Sequence, residues 1–181
     1  MKKTIISILF SFVCFLLCSC ASKVPEHYIA FYLEAPKQAG TFDISKTFVV
    51  PVINKKIQVM RDPVFNIDAF SDCVVSQKYD PVLDVSVPGL FFRIKDEYSI
   101  RLNQVAARAE GRRFLLVADG KPLGFCVLKK NLTRNDLFFF IMTPAEGEER
   151  MKQLDDLCFE LNSFILEFRE YKENQYCLFI F

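Results

Sequence analysis

Residues 110–128 read EGRRFLLVADGKPLGFCVL, two apolar runs joined through Asp119-Gly120. Asp-Gly between apolar runs is a strong hairpin signal, because a tight two-residue turn needs positive φ at its centre and these residues tolerate it. The turn sets the register. Phe114, Leu116 and Ala118 then share one face of the first strand, and Leu115 and Val117 the other. Both faces are apolar, as expected of a central strand covered on two sides.

The flanking chain reads as strands and helices in alternation. Upstream, residues 90–95 form a strand, preceded by an apolar stretch that Pro88-Gly89 interrupts. Asp96 is placed to cap a helix whose apolar positions Tyr98, Leu102, Val105, Ala106 and Ala109 recur at helical spacing, and Gly111 suits the left-handed position that closes it. Downstream, residues 136–142 (DLFFFIM) are a third buried strand. Thr143 and Glu146 combine as a capping box with Pro144 at the first helical position, and open a second helix with a stripe of Met151, Leu154, Cys158, Leu161, Ile165 and Phe168. After Asn162 two readings stand. Either that helix continues, or residues 164–168 alternate as a strand paired with residues 176–181.

Nearer the N-terminus, residues 28–34 (YIAFYLE) are a strand, and residues 47–53 and 56–61 are a hairpin around Asn54-Lys55 in which Pro51 marks an edge or a bulge. Residues 64–70 read as a turn or a single helical turn before a strand at 73–77. The fold class expected is α+β, an antiparallel sheet with two covering helices, ferredoxin-like or a variant of it. Residues 28–181 are one domain, and most of the 20 Phe are available for its core.

Residues 1–19 have the three parts of a secretory signal: Lys2 and Lys3, an apolar run from Ile5 to Leu17, and the small Ser19 before Cys20. The run is too short to span a bilayer. Leu17-Cys18-Ser19-Cys20 resembles a bacterial lipobox, in which Cys20 receives lipid and becomes the mature N-terminus. Acyl chains there would anchor the chain to the membrane. Residues 20–27 are then the lipidated Cys and a short tether. The site expected is the outer face of the inner membrane or the outer membrane, facing periplasm or exterior.

Losing the signal removes two lysines and no acid, which turns the formal net charge of +1 into about −1. Nucleic acid is not an expected partner of a chain with no basic excess. Cys73, Cys126, Cys158 and Cys177 remain beside the lipidated one, without C-x-x-C spacing. Four cysteines allow three pairings. Free buried thiols are the expectation, although an oxidising compartment permits a disulfide. His27 is the only histidine, and it lies in the tether, so no metal or cofactor is expected.

Nor is an enzyme expected. The chain has no G-x-S-x-G elbow, no P-loop, and no histidine in its folded part to serve as base for Ser or Cys. Glu148-Glu149 and Asp155-Asp156 fit solvated helix faces. Arg112 and Arg113, with Arg108 one turn back, are placed either to meet an acidic partner or to solvate a helix end.

Gly111-Arg112, the run 114–117, Asp119-Gly120-Lys121, Val127-Leu128, the strand 136–142, and Thr143 with Glu146 follow a known order. This pattern resembles the periplasmic head subdomain of SecD, the accessory subunit of the bacterial preprotein translocase. Coverage is about 62–161. Ala109 stands where that family has Asn, and Gly124-Phe125-Cys126 where it has Ser-Ala-Pro. SecD couples export to proton movement through membrane helices, and no such helix follows the signal here. The resemblance therefore implies a binding module detached from that motor, with exported polypeptides or translocase subunits as partners. The alternatives are an envelope or surface structural lipoprotein with no export role, and an enzyme using carboxylate chemistry.

Overall fold

The computed structural model describes residues 24–36, 45–50, 54–80, 84–130, 132 and 135–178; the expected signal 1–19 and Cys20, with Pro51, lie outside them. The central hairpin pairs β7 (Arg113–Ala118) with β8 (Lys121–Val127), and Asp119 and Gly120 turn it at φ +48° and +77°. A bulge between Leu116 and Val117 shifts the register by one residue, so that Leu116 faces Gly124 while Val117 faces Pro122.

Around this pair the sheet extends both ways. β1 (Ile29–Leu33) pairs with β7 along its length and with the two-residue β4 (Phe65–Asn66) on its far side. β9 (Asp136–Ile141) joins β8, then β6 (Val85–Ile94), then β5 (Phe70–Asp80) at the edge. The order is β4-β1-β7-β8-β9-β6-β5, antiparallel throughout. With α1 (Ser99–Arg108) and α2 (Gly147–Leu178) this is an α+β fold. In a split βαβ unit one strand separates those joined by the helix. Here β8 and β9 both lie between β6 and β7, so the arrangement is a variant with a β7–β8–β9 meander.

Both faces of β7 are covered, by different layers. Phe114, Leu116 and Ala118 enter the main core with Leu102 of α1 and Leu154, Leu161, Phe164 and Ile165 of α2. Its centre is Phe31, whose ring lies 4.4–6.5 Å from those of Phe65, Phe70, Phe92, Phe114 and Phe139. Leu115 and Val117 face a second, smaller core with Ala30 and Tyr32. The hairpin of β2 (Ser45–Val50) and β3 (Lys55–Met60) closes it with Phe48, Val50, Ile57 and Val59.

Several boundaries differ from the sequence expectation. Strand β6 runs through Pro88-Gly89 instead of starting at Leu90. Leu90 to Arg93 pair with β9 on one side, and that pairing has ended before Pro88. Pro88 has the strand parity of Leu90 and Phe92, so its missing N–H falls on the side with no neighbour and costs no ladder bond. Gly89 is required, since a Cβ there would stand 2.3 Å from the Phe139 carbonyl oxygen.

Helix α1 is not capped by Asp96. Residues Asp96–Tyr98 form a 3-10 turn, Tyr98 is the N-cap, and the Asp96 carboxylate accepts from Asn135 Nδ2 at 3.0 Å. Helix α2 opens at Gly147, four residues after Thr143. Gly147 at φ +57° blocks backward extension of the helix. The Thr143 hydroxyl accepts the Ala145 N–H and donates to the Gln153 side-chain oxygen, and Glu146 offers its carbonyl to the Arg150 N–H instead of a capping carboxylate.

Past Asn162 the chain stays helical to Leu178, which removes the strand alternative for residues 164–168. Leu161, Phe164 and Ile165 are buried and Phe168 packs on the same core, a helical spacing, while Leu166 is 52% exposed. Of the pairing partner expected at 176–181, residues 176–178 belong to this helix and 179–181 lie outside the described residues.

Candidate functional site

The free edge of the sheet is its most distinctive surface, and α2 covers only one end of it. Strand β5 has β6 as its one strand neighbour among the described residues. At Cys73 the outward edge is closed by a side chain. Asn162 Oδ1 accepts the Cys73 N–H at 2.9 Å, and Asn162 Nδ2 donates to the Cys73 carbonyl at 2.8 Å. One carboxamide thus reproduces both bonds that a neighbouring strand residue would make. Two turns on, Arg169 Nη2 donates to the Ser71 carbonyl at 2.9 Å, and Lys172 lies 3.7 Å from the Asp68 carboxylate.

The clamp also fixes which way the rest of β5 points. Because the Cys73 N–H and C=O face Asn162, Cys73 and Phe92 are a pair that exchanges no ladder bonds. The register continues unbroken from Asp72 to Asp80, so Val75, Gln77 and Tyr79 also direct their backbone groups away from β6. Three residues of edge backbone are therefore presented beyond the end of the clamp. Gln77 and Tyr79 are exposed, as is Val74, while Val75 is half-buried against the core.

A second cluster lies where the N-terminal segment enters the sheet. The Tyr28 N–H donates to Asp119 Oδ1 at 2.8 Å, and Asp119 Oδ2 lies 2.9 Å from His27 Nδ1. The imidazole stacks on Phe164 of α2, centroids 3.9 Å apart and rings 5° from parallel. The Asp119 contact raises the His27 pKa. Burial opposes ionisation of Asp119, yet the bonds from His27 and the Tyr28 N–H outweigh it and lower that pKa.

Arg112 and Arg113 are occupied within the fold. Arg113 grips the Glu34 carboxylate with Nε at 3.0 Å and Nη2 at 2.5 Å, and Arg112 Nε donates to the Glu34 carbonyl at 3.0 Å. The Arg113 bond holds Glu34 below the usual carboxylate range. The pair locks the end of β1 to the start of β7. Gly111, at φ +77°, sends its N–H to the Leu128 carbonyl at 3.0 Å and so carries the chain from α1 into β7.

Two depressions between β8 and α2 hold about 200 and 210 Å³, with Leu123 and Leu157 lining both. Pockets for small ligands are usually roughly 300–1,000 Å³. Among the described residues no group of three or more His, Cys, Asp or Glu is placed to hold a metal, and no helix is long and apolar enough to cross a membrane.

No family model matches the chain, and no curated protein matches it. Two solved structures are similar. A crystal structure of SecDF in its super-membrane-facing form is 13% identical with a TM-score of 0.47, over 75% of this chain and 18% of that one. A structure of SecDF, described as a membrane component that enhances protein export, is 11% identical with a TM-score of 0.44, over 77% of this chain and 62% of that one. This chain therefore spans under two thirds of either, and the likeness is one of backbone arrangement at most.

The sequence placed the hairpin turn, Gly111 and the apolar stripe of α2. It did not single out Asn162, Glu34 or the edge of β5. The only signal for Asn162 was a carboxamide beside the apolar stripe, one turn after Cys158, a position where a helix usually shows carbon or solvent.

Proposed function

We propose that this protein is a lipid-anchored, non-catalytic binding module, accessory to protein export, that takes extended polypeptide onto the free edge of β5 by strand addition. One observation carries the reading: Val75, Gln77 and Tyr79 present edge backbone, just past the Asn162 clamp, that no strand among the described residues pairs. Main-chain bonds along such an edge give affinity with little sequence demand, which suits a partner defined by being unfolded. The residue pattern from Gly111 to Glu146 supplies the class of occupant, an exported chain or a translocase subunit. Lipid on Cys20 would hold the module at the membrane. Seven extended residues from Ala21 to His27 reach at most about 25 Å, so the hairpin tip that His27 touches would face that surface.

A second reading, an envelope interaction protein without an export role, is favoured by Phe159 and Leu166, two turns apart on α2 and 79% and 52% exposed. Photo-reactive residues at Gln77, Tyr79 and Phe159 in living cells separate the two. Adducts of exported chains or translocase subunits from Gln77 and Tyr79 support strand addition. Adducts of envelope proteins from Phe159 alone support the second reading, and hydrolysis of a peptide or ester panel by the purified protein overturns both. The anchor has its own test in fatty-acid labelling, which a Cys20→Ala chain is expected to lose.

A further inference from the structure

Cys73 on β5 and Cys158 on α2 are 85 residues apart in sequence, and their sulfurs lie 3.6 Å apart. Each thiol also reaches the other residue's carbonyl, Cys158 Sγ to Cys73 O at 3.3 Å and Cys73 Sγ to Cys158 O at 3.6 Å. Asn162 stands 3.6 Å from Cys158 Sγ while holding both backbone groups of Cys73, so one side chain fixes the two cysteines against each other. A disulfide needs sulfurs about 2.05 Å apart, so the pair has to close from its present contact distance of 3.6 Å. Cys126, by contrast, is buried in β8 with its sulfur on the Val127 carbonyl.

We propose that Cys73 and Cys158 are a redox pair that closes to a disulfide and bolts α2 to the edge strand β5. The oxidant is a disulfide donor, either an oxidised dithiol protein or glutathione disulfide. Cys158 is half-buried whereas Cys73 is 1% exposed, so Cys158 meets the donor first. Its thiolate attacks one donor sulfur, the donor's S–S bond breaks, and the expelled thiolate takes a proton. Cys73 then loses its proton and attacks the Cys158 sulfur of this mixed disulfide, releasing the second donor thiol. Two electrons and two protons pass from the cysteines to the donor. Burial raises the Cys73 pKa, which lowers its thiolate fraction, while contact with the Cys158 sulfur favours the attack. The bolt would fix where the clamped part of β5 ends, but the chemistry stands on the sulfur geometry and not on any partner.

The test treats the reduced full chain with glutathione disulfide, quenches in acid, alkylates, and maps peptides without reduction. The expected product joins Cys73 to Cys158 and leaves Cys126 alkylated. Its melting temperature is expected to rise by on the order of 10 °C, since the bond closes a long loop. Cys158→Ser should abolish both effects and Cys126→Ser neither. A chain that stops at a glutathione adduct on Cys158, that joins either cysteine to Cys126 or Cys177, or that closes without a change in melting overturns the proposal. Because it needs no exported partner, the result is independent of the strand-addition reading.

Discussion

Asp119 does two jobs that a turn residue need not do: it adopts φ +48° and it holds the incoming chain through the Tyr28 N–H and His27. The turn was legible in the sequence because Asp-Gly encodes backbone geometry locally. The grip on His27, 92 residues away, was not, since it arises only once β1 lies beside β7. The pair predicts a pH dependence. His27 is raised above 6.5, so its contribution is complete below that value and is lost as pH rises through the higher folded pKa. Asp119 is lowered below 3.8, so its contribution is present above that value and is lost as pH falls through the lower one. An NMR titration of His27 should give a pKa above 6.5 that returns toward 6.5 in Asp119→Asn. An identical midpoint in both would contradict the pairing.

Glycines separate two costs at the same scale. Gly120 has open space where a side chain would stand but φ +77°, so Gly120→Val is expected to lose about 1–3 kcal/mol from the backbone alone. At Gly124 a Cβ would stand 2.4 Å from the Phe140 carbonyl oxygen, which forces β8 and β9 apart. Even Gly124→Ala should therefore destabilise more than Gly120→Ala in urea melts. Equal midpoints would mean that the strands yield freely.

At the scale of elements, β6 and α2 show why local reading failed where it did. Pro88-Gly89 looks like a strand breaker by composition, yet the proline faces the unpaired side and the glycine admits a neighbouring carbonyl. Which edge a residue faces is decided by the sheet, not by the dipeptide. Helix α2, 32 residues and about 48 Å long, follows the first of the two readings open after Asn162. Its far half is anchored by contacts that no periodicity shows: Asn162 on Cys73, Arg169 on Ser71 and Lys172 near Asp68. Asp68 is a shared anchor, since it also accepts the Tyr98 hydroxyl at 2.8 Å, and burial with that bond pushes the Tyr98 phenol up to about 12. Asn162→Leu keeps the helix but strands the Cys73 N–H and C=O, and is expected to lose about 1–3 kcal/mol. Thermal melts check it, and a wild-type midpoint would show that the clamp contributes nothing.

Across the whole molecule, helices cover one face of the sheet, the β2–β3 hairpin covers part of the other, and the two edges are treated differently. The β4 edge is two residues long, whereas β5 runs eleven and, among the described residues, is closed only at its start. An open edge is an aggregation hazard unless short, charged, covered or used. The α+β class and the doubly covered β7 followed from apolar patterning, because burial is written along each strand. The open edge did not, since strand order depends on contacts between distant segments. If this edge receives an extended chain, its outward amides must become protected when one binds. Amide hydrogen exchange, recorded with and without a saturating unfolded segment of an exported protein, tests this most directly. Strand addition predicts that the Val75, Gln77 and Tyr79 amides slow while Cys73, already held by Asn162, is unchanged. Binding that leaves those three amides exchanging at their free rate would contradict it.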